Sequence, residues 1–288
     1  MPELPEVETL AALLRPLIVG KRVLQCQASV PRLRLPLPTR LPFEWHNWEI
    51  LDIRRRGKYL LVPGPADQVL VIHLGMTGWL SVSDSFFPAD RHERWRLLFG
   101  DGSSLRFADP RKFGQIFFSK FSTPDTIAGL PELGVEPLSS RFTGSLLYAL
   151  SRRVRRPLKP WLLDQSVIVG IGNIYASESL FQARLSPTRH VASLTREECL
   201  RLCRAIRHVL RDSIAAGSTC AQAIPQPTEN TTHYTLSLHV YEREGCNCSR
   251  CGAGIIHRLV QSGRSTYWCP ECQSAAGRSA RQRSRNES

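Results

Sequence analysis

Three groups of residues could do chemistry. The first is Pro2 with Glu3 beside it. If Met1 is removed, as a small second residue usually permits, Pro2 exposes a secondary amine. Its pKa lies well below that of lysine, so a useful fraction is neutral near pH 7. A neutral secondary amine attacks an aldehyde-level carbon and forms an iminium, which is Schiff-base catalysis without a depressed lysine. Glu3 is placed to shuttle the protons. The second group is Cys248-x2-Cys251 and Cys269-x2-Cys272, separated by 17 residues. That is the ligand spacing of a four-cysteine zinc ribbon. Four thiolates leave no open position for a substrate, so the expected zinc ion is structural. Cys246 competes with Cys248, but only Cys248 gives the x2 spacing. A disulfide pair is the alternative for these cysteines.

The third group is cationic and aromatic. His73-Leu74-Gly75-Met76-Thr77-Gly78 follows a predicted strand. Met76 either packs beneath that turn or serves as a wedge in a base stack. Asp109-Pro110-Arg111-Lys112-Phe113-Gly114 is a second turn. A type I turn explains Asp109-Pro110; a base-reading arginine beside an inserting phenylalanine explains Arg111 and Phe113. Gly170-Ile171-Gly172-Asn173 precedes a helix, as either a tight corner or an anion-binding helix start.

The elements that position these groups change halfway along the chain. Pro5 suits the first turn of a helix, with Glu6 and Glu8 at its positive end. Val7, Leu10, Ala11, Leu14, Leu17 and Ile18 recur at helical spacing, and Gly20 marks the stop. From there to Phe121 the sequence reads as short strands. These are 22–26, a run from Glu49 to Val62 interrupted at 54–58, 68–74, 95–99 and 104–107 around a Gly-Asp-Gly-Ser hairpin, and 114–118. This spacing predicts a β-sandwich or barrel. Residues 124–137, rich in Pro and Gly, read as a linker. Helices are expected over 145–152, 160–165 and 173–182. Another is opened by a Thr195/Glu198 capping box and runs to 216. Residues 217–235 read as a mobile loop, 236–241 alternate, and the tail after Gln273 reads as disordered.

Composition narrows the partner. The 288-residue chain carries a net charge of +13. Residues 1–137 hold 17 Lys+Arg against 15 Asp+Glu, a balance of +2, and residues 138–288 hold 21 against 10, a balance of +11. Only five of the basic residues are lysine. Arginine suits a chain that grips phosphates, and the asymmetry points to a polyanion rather than a solubility device. No apolar run reaches membrane-spanning length, and the acidic N-terminus has no basic signal region. Nine cysteines, five of them between 246 and 272, fit a reducing cytoplasm where clustered cysteines bind metal.

Seven motifs in order give these pieces a common frame. They are Pro2 to Thr9, Arg56-Gly57-Lys58-Tyr59-Leu60, His73 to Met76, Asp109 to Gly114, Lys159-Pro160-Trp161-Leu162, Gly172 to Glu178 and the four-cysteine finger. Together they closely resemble bacterial-type formamidopyrimidine-DNA glycosylase, a base-excision repair family for oxidised purines, across residues 2–273. The resemblance implies an α+β multidomain chain acting as a monomer on damaged double-stranded DNA. Its parts would be a β-sandwich with a leading helix (1–137) and a helix–two-turn–helix domain with a base-capping loop (138–235). A zinc-finger β-hairpin (236–273) and a basic tail (274–288) would follow. It implies that Pro2 attacks C1′, that Glu3 is the acid that helps open the sugar, and that Glu6 holds their helix. Lys58 and Arg264 match positions tied to the elimination steps and to phosphate. His73, Asn173 and Tyr241 match a phosphate clamp; His92, Arg111 and Arg155 match further DNA contacts. Met76, Arg111 and Phe113 match the triad that fills the hole left by a flipped base, with Arg111 on the orphaned cytosine. One stretch departs: Gly217-Ser218-Thr219 continues as Cys220-Ala221-Gln222-Ala223-Ile224-Pro225, where the family has a leucine, a charged pair and an aromatic. That departure bears on 8-oxoguanine selectivity. Leu4, Val7-Glu8-Thr9 and Arg111-Lys112-Phe113 argue against the endonuclease VIII-like relatives that take oxidised pyrimidines. Pro2, Glu3 and Lys58 together argue against a non-catalytic zinc-finger DNA binder.

Overall fold

The computed structural model describes residues 2–84, 90–123, 126–217 and 238–274. The chain divides into two compact units, residues 1–133 with 213–236, and residues 134–212 with 237–288.

The first unit opens with helix α1 (Leu4–Ile18), with Glu3 at its N-cap and Pro5 in its first turn. Val7, Leu10, Ala11, Leu14 and Ile18 are buried along one face together with Leu4, as the spacing predicts, whereas Leu17, which the spacing also included, lies at the edge of that stripe and is exposed. Two antiparallel sheets follow. One has the order β1 (Val23–Ala28), β6 (Glu93–Phe99), β7 (Ser103–Ala108), β5 (Trp79–Asp84). The other runs β2 (Arg54–Arg56), β3 (Tyr59–Pro63), β4 (Gln68–His73), β8 (Gln115–Thr123), β9 (Thr126–Ile127). Leu60, Leu70, Ile72 and Ile116 of one sheet share a core with Leu80, Trp95, Leu97, Leu105 and Phe107 of the other and with α1. Val69 and Val71, alternating with Leu70 and Ile72, enter a smaller cluster with Leu61 and Ile127 on the opposite face. This is why β4 reads as continuously apolar.

The sequence expectations differ from this fold in particular places. Arg54–Arg56, taken as an interruption, is strand β2, and Gly57-Lys58 is the two-residue turn to β3. Its charge is absorbed locally: Arg55 Nε donates to Glu8 Oε2 at 2.6 Å. Strand β5 was not anticipated. The expected linker contains β9, and Val135 bridges Ile168.

The second unit holds α2 (Gly144–Ser151), α3 (Leu158–Leu162), α4 (Asn173–Ala183) and all but the last three residues of α5 (Arg196–Ala215). The helix expected over 160–165 is α3, which begins two residues earlier than the pattern suggested and ends at Leu162. The Thr195 capping box is present. Glu198 N–H donates to Thr195 Oγ1 at 3.2 Å, and Thr195 N–H to Glu198 Oε2 at 2.9 Å. Cys199, Leu202, Cys203, Ile206 and Leu210 are the buried stripe of α5. A hairpin of β10 (His257–Gln261) and β11 (Arg264–Trp268) turns at Ser262-Gly263, next to Arg264, within the segment between the two cysteine pairs. Residues 238–241 are not a strand. The architecture is an N-terminal β domain with a leading helix, a helix–two-turn–helix domain and a four-cysteine finger hairpin. Residues 218–237, which include the expected capping loop, and the tail 275–288 lie outside the described residues. Among those described, no helix is long and apolar enough to cross a membrane.

Candidate active site and DNA interface

In the first unit, Pro2 is half-buried at the start of α1, and Glu3 and Glu6 are buried. Glu6 accepts a 2.7 Å hydrogen bond from the Glu3 N–H. This satisfies a helix-start donor and fixes the direction in which the first residues leave the helix. Glu3 is therefore the N-cap as well as the predicted acid. The β2–β3 turn is tied to the same helix: besides its bond to Glu8, Arg55 Nη1 donates to the Gly57 carbonyl at 3.2 Å. Lys58 follows in that turn and is buried.

Strand register carries Lys58 to His73, since Tyr59 pairs with His73 at the end of β4. The Tyr59 and His73 rings lie 4.8 Å apart. The Gly75 N–H donates to His73 Nδ1 at 3.0 Å, so the ring's own proton belongs on Nε2. Burial, then the charges of Lys58 and Arg34, push the His73 pKa down to about 4. The imidazole is neutral at physiological pH and offers one N–H donor.

Met76 and Phe113 are both exposed, at 40% and 44%. Those values remove the reading in which Met76 packs beneath its turn. The two loops that carry them are pressed together: a Cβ on Gly75 would meet the Phe113 carbonyl carbon at 2.5 Å. Asp109, fully buried, joins them. Its carboxylate accepts from Thr77 Oγ1 at 2.6 Å, Arg111 N–H at 3.2 Å and Gly114 N–H at 2.8 Å. The Arg111 guanidinium lies over the Phe113 ring, 4.8 Å from its centroid. His92 meets this loop through the backbone, with the Asp109 N–H donating to its carbonyl at 2.9 Å. Asp109 and Thr77 were missed as functional residues. Their signal, an aspartate before proline, is equally that of an ordinary turn.

In the second unit, Asn173 opens α4, and its Nδ2 donates to the Ser265 carbonyl at 3.0 Å. Lys159, fully buried, donates to the same carbonyl at 2.8 Å and to Thr266 Oγ1 at 3.1 Å. The residue after Arg264 is thus held by two side chains, while Arg264 itself is exposed. Gln165 shapes the turn before α4: its Nε2 donates to the Ile171 carbonyl at 2.9 Å, and its Oε1 accepts from Gly170 N–H at 2.8 Å. Glu178, buried on α4, accepts three backbone N–H bonds, from His239 at 3.0 Å and from Val240 and Tyr241 at 2.9 Å each. Tyr241 is oriented by that carboxylate and by Tyr267, whose ring centroid is 5.2 Å away. Glu178 and Gln165 were also missed; an acid on a buried helix face was the available signal for Glu178. Arg155 is exposed on the α2–α3 connection and is not brought to the Asn173–Arg264 group by any hydrogen bond among the described residues.

Cys248, Cys251, Cys269 and Cys272 bring their sulfurs within 4.8 Å of one another. The Cys248–Cys272 and Cys251–Cys269 separations are 3.8 and 3.9 Å. Tetrahedral zinc with Zn–S bonds of about 2.3 Å requires about 3.8 Å between sulfurs, so the group fits the ion, and disulfides are excluded. Backbone N–H groups of Arg250, Gly254 and Cys272 point at Cys248, Cys251 and Cys269 sulfurs at 3.3–3.5 Å. Gly254 is required, because a Cβ there would lie 2.7 Å from Cys269 Sγ. Cys246 is exposed and outside the cluster.

Comparison with known proteins agrees with this geometry. Residues 1–116 match the formamidopyrimidine-DNA glycosylase N-terminal domain and residues 133–224 the H2TH domain of the same family. Residues 247–275 match a zinc finger found in FPG and IleRS. The chain is 40% identical over 274 residues to formamidopyrimidine-DNA glycosylase of Laribacter hongkongensis, covering 95% of this chain and 100% of that one. The crystal structure of MutM (Fpg) from Thermus thermophilus superposes with a TM-score of 0.80 at 39% identity, over 96% of this chain and 100% of that one. A mutant Lactococcus lactis Fpg in complex with Fapy-dG-containing DNA superposes with a TM-score of 0.82 at 31% identity, over 95% and 100%. This chain belongs to the formamidopyrimidine-DNA glycosylase family.

Proposed function

We propose that this protein is a DNA glycosylase with abasic-site lyase activity that removes oxidised purines, 8-oxoguanine and formamidopyrimidines, from duplex DNA. The target nucleotide is swung out of the duplex, because its anomeric carbon cannot be reached inside the stack. Met76 and Phe113 fill the gap and Arg111 takes the orphaned cytosine. Both apolar side chains are already exposed on loops locked by Asp109. The Pro2 nitrogen lone pair bonds to C1′ as the C1′–base bond breaks, and the base leaves with a proton. Glu3 protonates O4′ as the sugar ring opens, giving an iminium. That cation acidifies the C2′ proton; its removal expels the 3′ phosphate, and a second elimination expels the 5′ phosphate.

Lys58 and Arg264 hold the phosphates that depart, and His73, Asn173 and Tyr241 complete the clamp, with His92 and Arg155 as outer DNA contacts. A neutral His73 donates Nε2–H without adding a charge that would have to be desolvated. Zinc, when bound, cross-links the knuckles that support the Arg264 hairpin; it takes no part in bond breaking. The chain acts as a monomer in the cytoplasm, where its thiols stay reduced. The observation that carries this reading is the pairing of Pro2 and Glu3 at a capped helix start to which Arg55 ties the Lys58 turn.

The test is incision of duplexes bearing 8-oxoguanine, ring-opened guanine or thymine glycol. Cleavage of the purine lesions with both phosphates retained on the product ends supports the proposal. Preference for thymine glycol would point instead to an oxidised-pyrimidine enzyme on this fold.

A further inference from the structure

Between β1 and the helical turn at Phe43–Trp45 the chain makes a rigid excursion. Leu33 and Leu37 are buried in the sandwich core. Arg32 and Pro36 form an antiparallel bridge, the Leu37 N–H bonds the Pro31 carbonyl at 3.1 Å, and Trp95 Nε1 bonds the Pro38 carbonyl at 3.0 Å. The tip is thereby fixed, and Arg34 and Leu35 stand exposed on it. The Arg34 N–H reaches the Gly114 carbonyl at 3.4 Å, which lays the tip against the loop of Arg111 and Phe113.

The Arg34 guanidinium has no hydrogen bond or ion pair among the described residues. Its charge nevertheless reaches two neighbours. It adds to Lys58 in keeping the His73 ring neutral, and it opposes the upward push that burial gives the Tyr59 phenol. The charges acting on His73 are Lys58 and Arg34, both positive. Two cations and an N–H donor around one ring make a site that a polyanion fills. Because its loop is already anchored, binding has to order only the Arg34 side chain and not the backbone that carries it.

We propose that Arg34 is a further DNA-binding residue, holding a backbone phosphate next to the one taken by Lys58 and His73, beside the gap that Phe113 enters. This rests on the reading of Lys58 and His73 as a phosphate clamp. An arginine fork takes two oxygens of one phosphate and fixes the strand's direction as well as its position.

The test measures affinity of the full-length protein for a duplex with a tetrahydrofuran abasic-site analogue across a salt series. R34Q is compared with R34K and with R40Q, an exposed arginine farther along the same segment. Loss of one phosphate contact lowers the salt slope by about 0.9, so wild type gains about eightfold over R34Q for each tenfold fall in salt. R34K keeps the slope, and R40Q behaves as wild type. A scan with neutral methylphosphonates should find one position that weakens binding by wild type and R34K but not by R34Q. If R34Q retains the wild-type slope while Lys58→Met reduces it, Arg34 is not a contact and the clamp stands. If neither substitution changes the slope, the clamp fails and the Arg34 assignment fails with it.

Discussion

Replacing Asp109 tests how the proposed wedge is held, without substituting Met76, Arg111 or Phe113. The carboxylate takes three donors, one through Oδ2 and two through Oδ1. In Asp109→Asn, the better orientation of the new amide would keep an oxygen toward Thr77 and Arg111 and turn its amino group toward the buried Gly114 N–H. One charge-assisted bond is then lost and two donors face each other. Asp109→Asn should cost about 2–3 kcal/mol of folding stability, and Asp109→Ala, which abandons all three donors, about 3–5 kcal/mol. Thr77→Val, removing a single hydroxyl donor, should cost about 1–2 kcal/mol and should not add fully to Asp109→Asn, because the two share a bond. Urea unfolding measures the stabilities. Binding to abasic-analogue DNA, well below each variant's unfolding transition, measures whether the loops are still set for insertion. The expected outcome is weaker binding by Asp109→Asn even where it is fully folded. A change below about 0.5 kcal/mol, the range of neutral surface substitutions, together with unchanged affinity, would refute the role given to this carboxylate.

Two further outcomes follow from the geometry. The His73 pKa of about 4 lies below the ordinary 6.5, so neutrality of this ring stabilises the fold fully above about pH 6.5. That contribution is lost as pH falls toward 4, by roughly 3 kcal/mol. His73→Gln should flatten the fall of Tm over that window, and an unaltered acid limb would show that the ring is not held neutral. Chelation under reducing conditions should release zinc and weaken binding of abasic-analogue DNA, while Cys246→Ser should leave zinc content unchanged; loss of zinc from Cys246→Ser would place that thiol in the metal site.

What could be read from the sequence was whatever is local. Helix α1 was legible because its apolar residues repeat at helical spacing. The start of α5 was legible because a capping box is a four-residue device, and the metal centre because two x2 pairs are self-contained. Strand β5 was not, since it has no apolar run and only Leu80 among its residues is buried, so that its strand character comes from pairing with β7. Arg54–Arg56 looked like a break because a triple arginine gains strand character only from pairing with β3 and from the Glu8 carboxylate on a distant helix. The candidate site divides in the same way. Pro2, Lys58, Arg111 and the cysteines stand out by residue type, whereas Asp109, Gln165 and Glu178 act through bonds whose partners are remote or are backbone. Asp109 reaches 32 positions back to Thr77, and Glu178 reaches 61–63 positions forward. Local pattern carries no trace of such partners.

The most direct measurement is borohydride trapping on a duplex carrying an oxidised purine, with mass mapping of the cross-linked peptide. The reduced adduct should lie on the secondary amine of Pro2 in the chain lacking Met1, and Pro2→Gly should lose or severely reduce it. An adduct on Lys58 or another lysine in the wild-type protein, or full incision without any trappable intermediate, would contradict catalysis by the N-terminal proline.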